Sequence, residues 1–131
     1  MRYIPIPKDV DLISITGEVV VGRDQKPMAG KFTNFVRGRL TDESFSKSMD
    51  AIQAAVHIRT SIEKIEKNGS IKYLAVESTD WNALVQSVKT PSATYDSRIG
   101  HCYFPHMEAI TNATEEAPED YQDNPPSPDA N

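Results

Sequence analysis

From Phe45 to Gly69 the chain reads FSKSMDAIQAAVHIRTSIEKIEKNG. Phe45, Met49, Ile52, Ala55, Val56, Ile62 and Ile65 recur every three or four residues, the spacing of one helix face, while Lys47, Asp50, Arg59, Glu63, Glu66 and Lys67 take the other faces. This predicts a long amphipathic helix with locally encoded ends. Asp42 is the expected N-cap, its carboxylate able to accept from the free amides of a first turn, and Asn68-Gly69 supplies the left-handed residues that commonly end a helix. Such a helix needs a surface on which to bury its stripe, and the flanking sequence supplies candidates.

Downstream, SIKYLAVES alternates, with Ile71, Tyr73 and Ala75 on one face and Leu74 and Val76 on the other, which predicts a strand over about 70–77. STDWNALVQSVKTP follows as a helix. Ser78 or Thr79 can cap it, Asp80 complements its dipole, Trp81, Leu84, Val85 and Val88 form its stripe, and Pro91 stops it. TPSATYDS is a loop, and a last helical segment is expected over about 97–114, interrupted near Pro105. Upstream, DLISITGEVVVGRD places two β-branched runs around Thr16-Gly17, predicting a hairpin with strands near 11–15 and 18–22. GRDQKPMAG is a loop, and Phe32, Phe35, Val36 and Leu40 in KFTNFVRGRL mark a short helix. The start, Tyr3-Ile4-Pro5-Ile6-Pro7, reads as an extended arm because its prolines exclude helix.

These elements make an α+β domain: a small antiparallel sheet, built from the hairpin and the later strand, packed against three or four helices. At 131 residues and 38% hydrophobic content one domain is expected, over 11–114, preceded by an arm over 1–10. The net charge of −5 is unevenly spread. Glu115, Glu116, Glu119, Asp120, Asp123 and Asp129 all follow residue 114, where there is no Lys or Arg, so the body is nearly neutral. Four prolines share that stretch and only Tyr121 offers apolar surface to offset ordering, so 115–131 reads as a disordered acidic tail. The single cysteine cannot form an internal disulfide, and Met-Arg-Tyr-Ile-Pro lacks the apolar run of a secretory signal. Apolar runs fall far short of the roughly 20 residues a membrane helix needs. A cytoplasmic protein without membrane contact is expected.

The stretch GHCYFPHMEAI, Gly100 to Ile110, gathers His101, Cys102 and His106 and raises metal binding or thiol chemistry. On a helix His101 and His106 diverge by about 140°, and Pro105 breaks the helix between them. A structural zinc site needs four ligands in recognisable pairs, and the third histidine, His57, has no cysteine beside it. The favoured reading is packing: Ile99, Cys102, Tyr103, Phe104, Met107 and Ile110 face a core with the histidines at its margin. Arg23, Lys26, Lys31, Arg37 and Arg39 form a basic 23–39 segment suited to an acidic partner or, as an alternative function, to nucleic acid, though no RNP-type aromatic signature accompanies it. Neither a phosphate-binding glycine loop nor a G-x-S-x-G elbow is present. No enzyme activity and no cofactor are expected.

Taken in order, YIPIPKDV, ITGEVVV, FVRGRLTD, LAVESTDWNAL and YDSRIGHCYFPHMEAI resemble in layout small proteins encoded by tailed bacteriophages, in particular accessory proteins of virion and tail assembly such as tail assembly chaperones. The likeness spans about residues 3–114 and carries over no functional residue. It implies a non-enzymatic protein of the host cytoplasm that acts through its surfaces on phage structural proteins or on a second copy of itself. Tyr3, Ile4 and Ile6 of the arm, together with the basic segment, are the expected partner-binding residues.

Overall fold

The computed structural model describes residues 1–89 and 99–122 and is α+β, as expected. In chain order it contains β1 (Arg2–Pro5), β2 (Val10–Asp11), β3 (Ala29–Gly30), α1 (Phe32–Arg39), α2 (Met49–Lys67), β4 (Tyr73–Val76), α3 (Ser78–Lys89) and α4 (Phe104–Thr111), with 3-10 turns at Glu43–Phe45 and Gly100–Tyr103. Helices α1, α2 and α3 contact one another, and α2 also packs on β4. Between them lies one apolar core containing Ile4, Phe32, Val36, Phe45, Ile58, Ile62, Leu74, Leu84 and Ile110.

The long helix forms where its periodicity indicates, and of the expected stripe Phe45 and Ile62 are buried and Ala55 and Ile65 pack against the core, but its N-terminal half turns another face inward. Its buried residues are Ala54, Ile58 and Ile62, whereas Met49, Ile52 and Val56 are 78%, 44% and 41% exposed. The two stripes lie roughly 150° apart at 100° per residue. Its start also differs. Asp42 instead caps the 3-10 turn, accepting from the Ser44 amide at 3.0 Å, and Ser48 caps α2, its hydroxyl accepting from the Ala51 amide at 3.1 Å.

The later strand alternates as its sequence implies, Leu74 and Val76 buried, Tyr73 and Ala75 half-buried. Its partner is not the hairpin. β4 pairs antiparallel with β1, setting Arg2 opposite Val76, Tyr3 opposite Ala75, Ile4 opposite Leu74 and Pro5 opposite Tyr73. The segment expected as a free arm is therefore a core strand, with Ile4 0% exposed and Ile6 packed against the core. The register explains how the prolines fit. Tyr3 uses its amide and carbonyl on Thr114, at 2.9 and 3.2 Å, on the side away from β4, while the Ile6 amide donates to Lys72 at 3.0 Å. Odd residues thus point their backbone groups outward and even residues point theirs at β4. Pro5 and Pro7 are odd, so neither removes a ladder bond.

The hairpin around Gly17 forms, with φ of +93° at that glycine. It is held by the isolated bridges Ile13 to Val19 and Val21 to Pro27 rather than by continuous strands over 11–15 and 18–22. The Val20 amide donates to Leu12 at 2.9 Å and the Met28 amide to Val20 at 3.0 Å, so residues 10–30 fold as a meander of three short segments. Its ends meet as β2 and β3.

The last helix restarts instead of kinking. Gly100–Tyr103 is a 3-10 turn and Pro105 sits in the first turn of α4, where a missing amide costs no helical bond. Beyond it, residues 115–122 are docked rather than loose. Tyr121 meets Tyr3 edge-on at 4.7 Å, the Tyr73 hydroxyl donates to Asp120 at 2.7 Å, and Glu115 pairs with Arg2 at 2.8 Å. The ring in this docking belongs to Tyr121, the one aromatic residue in the tail's sequence. The loop expected over 90–97 and the tail from 123 onward lie outside the described residues.

Candidate functional site

The Gly100–Ile110 cluster divides its three polar side chains between different tasks. His106 sits in the core, not at its margin: it is 0% exposed, its Nε2 bonds to the Gly30 carbonyl at 2.9 Å, and Phe32, Phe35 and Tyr103 surround it with ring centroids 5.5 to 5.9 Å away. Since only Nε2–H can donate to a carbonyl, that contact fixes the proton on Nε2 and leaves Nδ1 buried without a partner. Gly30 is required here by close approach. A Cβ on it would lie 2.6 Å from Val10 Cγ2 and 2.9 Å from Tyr103 Cε1.

Cys102 faces the other way, onto the meander. Its thiol donates to the Ile13 carbonyl at 3.1 Å and its sulfur receives the Ile13 amide at 3.3 Å. His101 Nε2 stands 3.6 Å from the same sulfur. These contacts use the thiol as a structural link. Among the described residues, no group of three His, Cys, Asp or Glu side chains is placed to hold a metal ion.

The basic segment is also divided. Arg39 is buried, its guanidinium over Phe35 and within 3.4 Å of the Ser87 carbonyl, and Arg37 forms an ion pair with Glu66 of α2. Only Arg23, Lys26 and Lys31 remain as exposed cations without those internal roles. Five positions that look like one patch in sequence are thus one buried residue, Arg39, and four exposed ones, of which Arg37 is held in a surface ion pair with Glu66.

One polar pair escaped the sequence reading. His57 Nδ1 lies 3.2 Å from Asp80 Oδ2, joining α2 to the first turn of α3 across a groove of about 410 Å³ lined by Asp50, Gln53, His57, Thr79, Asp80 and Ala83. Twenty-three positions separate the two residues, and no spacing rule links them.

The remaining surface feature is apolar. Besides the Met49, Ile52 and Val56 stripe, the meander exposes Ile13, Ile15, Val19 and Val21. The bridge from Ile13 to Val19 sets these odd-numbered side chains on one face. No family model, curated protein or solved structure matches this chain.

Proposed function

We propose that the protein acts by binding other proteins, without catalysis, as an accessory factor of virion or tail assembly in a tailed bacteriophage. The observation that supports this reading is the second apolar stripe of α2. Met49, Ile52 and Val56 keep helical spacing but face water, opposite the stripe that builds the core. A helix with two such faces can bury one against its own domain and offer the other to a groove in a partner. Phage structural proteins are the partner class that the layout resemblance suggests.

Replacing Ile52 and Val56 together by Glu tests it. Both side chains are exposed, so the melting temperature is expected to change little, while co-sedimentation with purified tail-tube or tape-measure proteins is expected to disappear. Undiminished association by the double variant would refute the role of this face.

A further inference from the structure

Ile4, Leu74 and Val76 point into the core, so strand parity sends Tyr3, Tyr73 and Ala75 to the opposite face of the β1–β4 sheet. Residues 115–122 of the same chain cover Tyr3 and Tyr73 there. The Tyr121 ring meets Tyr3 at 4.7 Å and Tyr73 at 6.3 Å, edge-on to both. A turn closed by the Tyr121 amide on the Pro118 carbonyl at 3.0 Å sets Asp120 beside it, where the carboxylate accepts from the Tyr73 hydroxyl at 2.7 Å and lies 3.9 Å from Lys72 Nζ. Glu115 reaches Arg2 at 2.8 Å, and Arg2 is held in place by the Trp81 ring 4.2 Å from its guanidinium. The cavities beside Tyr73 are lined by Lys64 and Lys72, and among the described residues the one carboxylate lining them is Asp120, from the tail itself. This face is therefore built for negative charge around a tyrosine.

We propose that the Tyr3–Tyr73 face is a docking site for a short acidic segment in which tyrosine directly follows aspartate, that residues 115–122 fill it in cis, and that a partner protein carrying such a segment displaces them. The seated tail shows the chemistry of the occupant. The two receptor rings take the tyrosine, Lys72 and the Tyr73 hydroxyl take the aspartate, and Arg2 takes a second carboxylate upstream. The hold is also weak enough to be exchanged. Glu115, Asp120 and Lys72 each leave more than half of the side chain exposed, and ion pairs in that setting contribute little. A tethered tail stays docked on such contacts because the tether supplies an effective concentration on the order of millimolar. An untethered segment of the same chemistry has to outcompete it, so the tail sets a threshold that only a tighter or more abundant partner passes. This site lies on a different element from the exposed stripe of α2 and stands without it.

The full-length chain and a fluorescently labelled peptide, EEAPEDYQ, with the sequence of residues 115–122, test it. Tyr121→Ala in the chain removes the ring that seats the tail and leaves the receptor face intact. Peptide binding followed by anisotropy is expected to be about tenfold tighter to this variant than to the wild type, because the tethered competitor is gone. Asp120→Asn releases the tail at a different residue and is expected to tighten binding about threefold. NMR shifts on peptide addition are expected at Tyr3 and Tyr73, and the Tyr121→Ala change made in the peptide instead is expected to weaken its binding to the released chain about tenfold. The proposal is overturned if neither chain variant binds EEAPEDYQ at millimolar concentration, if wild type and both variants bind it equally, or if the peptide binds as well without its tyrosine, which would be charge attraction alone. A wild-type dimer that Tyr121→Ala dissolves would overturn the docking in cis and assign the tail to a second copy.

Discussion

The β1–β4 sheet and the 10–30 meander are both small antiparallel assemblies, yet different forces keep them in place. Ile4, Leu74 and Val76 of the first belong to the common core with Ile58 and Ile62 of α2. In the second, Leu12 is buried but lies outside that core cluster, while Ile13, Ile15, Val19 and Val21 face solvent. What fixes the meander is a few point attachments: the Cys102 thiol on Ile13, His106 on the Gly30 carbonyl, and the bare Cα of Gly30 against Val10 and Tyr103. Area burial distributes stability over many atoms, so its loss is felt by the whole domain. Point attachments concentrate it, so their loss is felt where they stand.

The sharpest way to break the contrast is Ile4→Ala, which removes a fully buried side chain from the core and is expected to cost about 2–5 kcal/mol of global stability. Denaturant unfolding measures it, and a cost under about 1 kcal/mol would return β1 to the status of a loose arm. Next in size is the meander's link through the core. His106→Ala leaves a cavity and an unpaired Gly30 carbonyl, expected at about 2–4 kcal/mol, whereas Cys102→Ala breaks the Ile13 contact and the weaker one to His101 and is expected at about 1 kcal/mol. Amide exchange distinguishes them: Cys102→Ala should accelerate exchange in the 12–20 hairpin and leave α2 and α3 unchanged. Equal acceleration in the helices would dissolve the distinction between the two regions.

The smallest expected effect concerns the docked start of the tail. The hydrogen bond to Asp120, then burial, then the carboxylate's negative charge hold the Tyr73 phenol above its ordinary value of 10.0. A raised phenol pKa means the folded state retains the proton longer, so this contact contributes fully below about pH 10 and is lost as pH rises through the folded value. Asp120→Asn is expected to move the Tyr73 titration back toward the ordinary tyrosine range, followed by NMR. An unchanged titration would show that Asp120 does not hold the phenol.

Most helices and the alternation of β4 were legible because periodicity is a local signal; the ends of α2 were read less well, since Ser48 and not Asp42 caps it and neither Asn68 nor Gly69 adopts the left-handed backbone expected at its end. What was not legible depended on choices between equivalent local signals. In the first half of α2 periodicity alone cannot say whether Met49, Ile52 and Val56 or Ala54 and Ile58 will meet the rest of the chain, whereas Ile62 and Ile65 are placed as expected. Pro5 and Pro7 argued against a sheet, but their two-residue spacing puts both missing amides on the side where no ladder bond is needed. The tail looked too polar to order, yet Tyr121 suffices to seat eight residues once Tyr3 and Tyr73 present a surface. In the histidine cluster, Tyr103, Met107 and Ile110 pack as their apolar character implies while Phe104, also expected in the core, is 57% exposed, and the full burial of His106 depends on the Gly30 carbonyl, supplied by an element 76 positions away.

The seat of β1 also determines when the domain can close. The strand is synthesised before its partner, since β4 lies some 70 residues later along the chain, and the contact from Arg2 to Ala113 spans 111 positions. Local elements such as α1 and α2 can form while Tyr3-Ile4-Pro5-Ile6 is still unpaired, so β1 docks late and its long-range pairing sets a slow final step. During that wait, an apolar strand with free amides on both edges would be a template for mispairing with neighbouring nascent chains. Proline at positions 5 and 7 leaves Tyr3 the sole amide donor among the odd residues 3, 5 and 7 of that edge without weakening the final ladder, which makes the same two residues a safeguard before folding and a neutral feature after it.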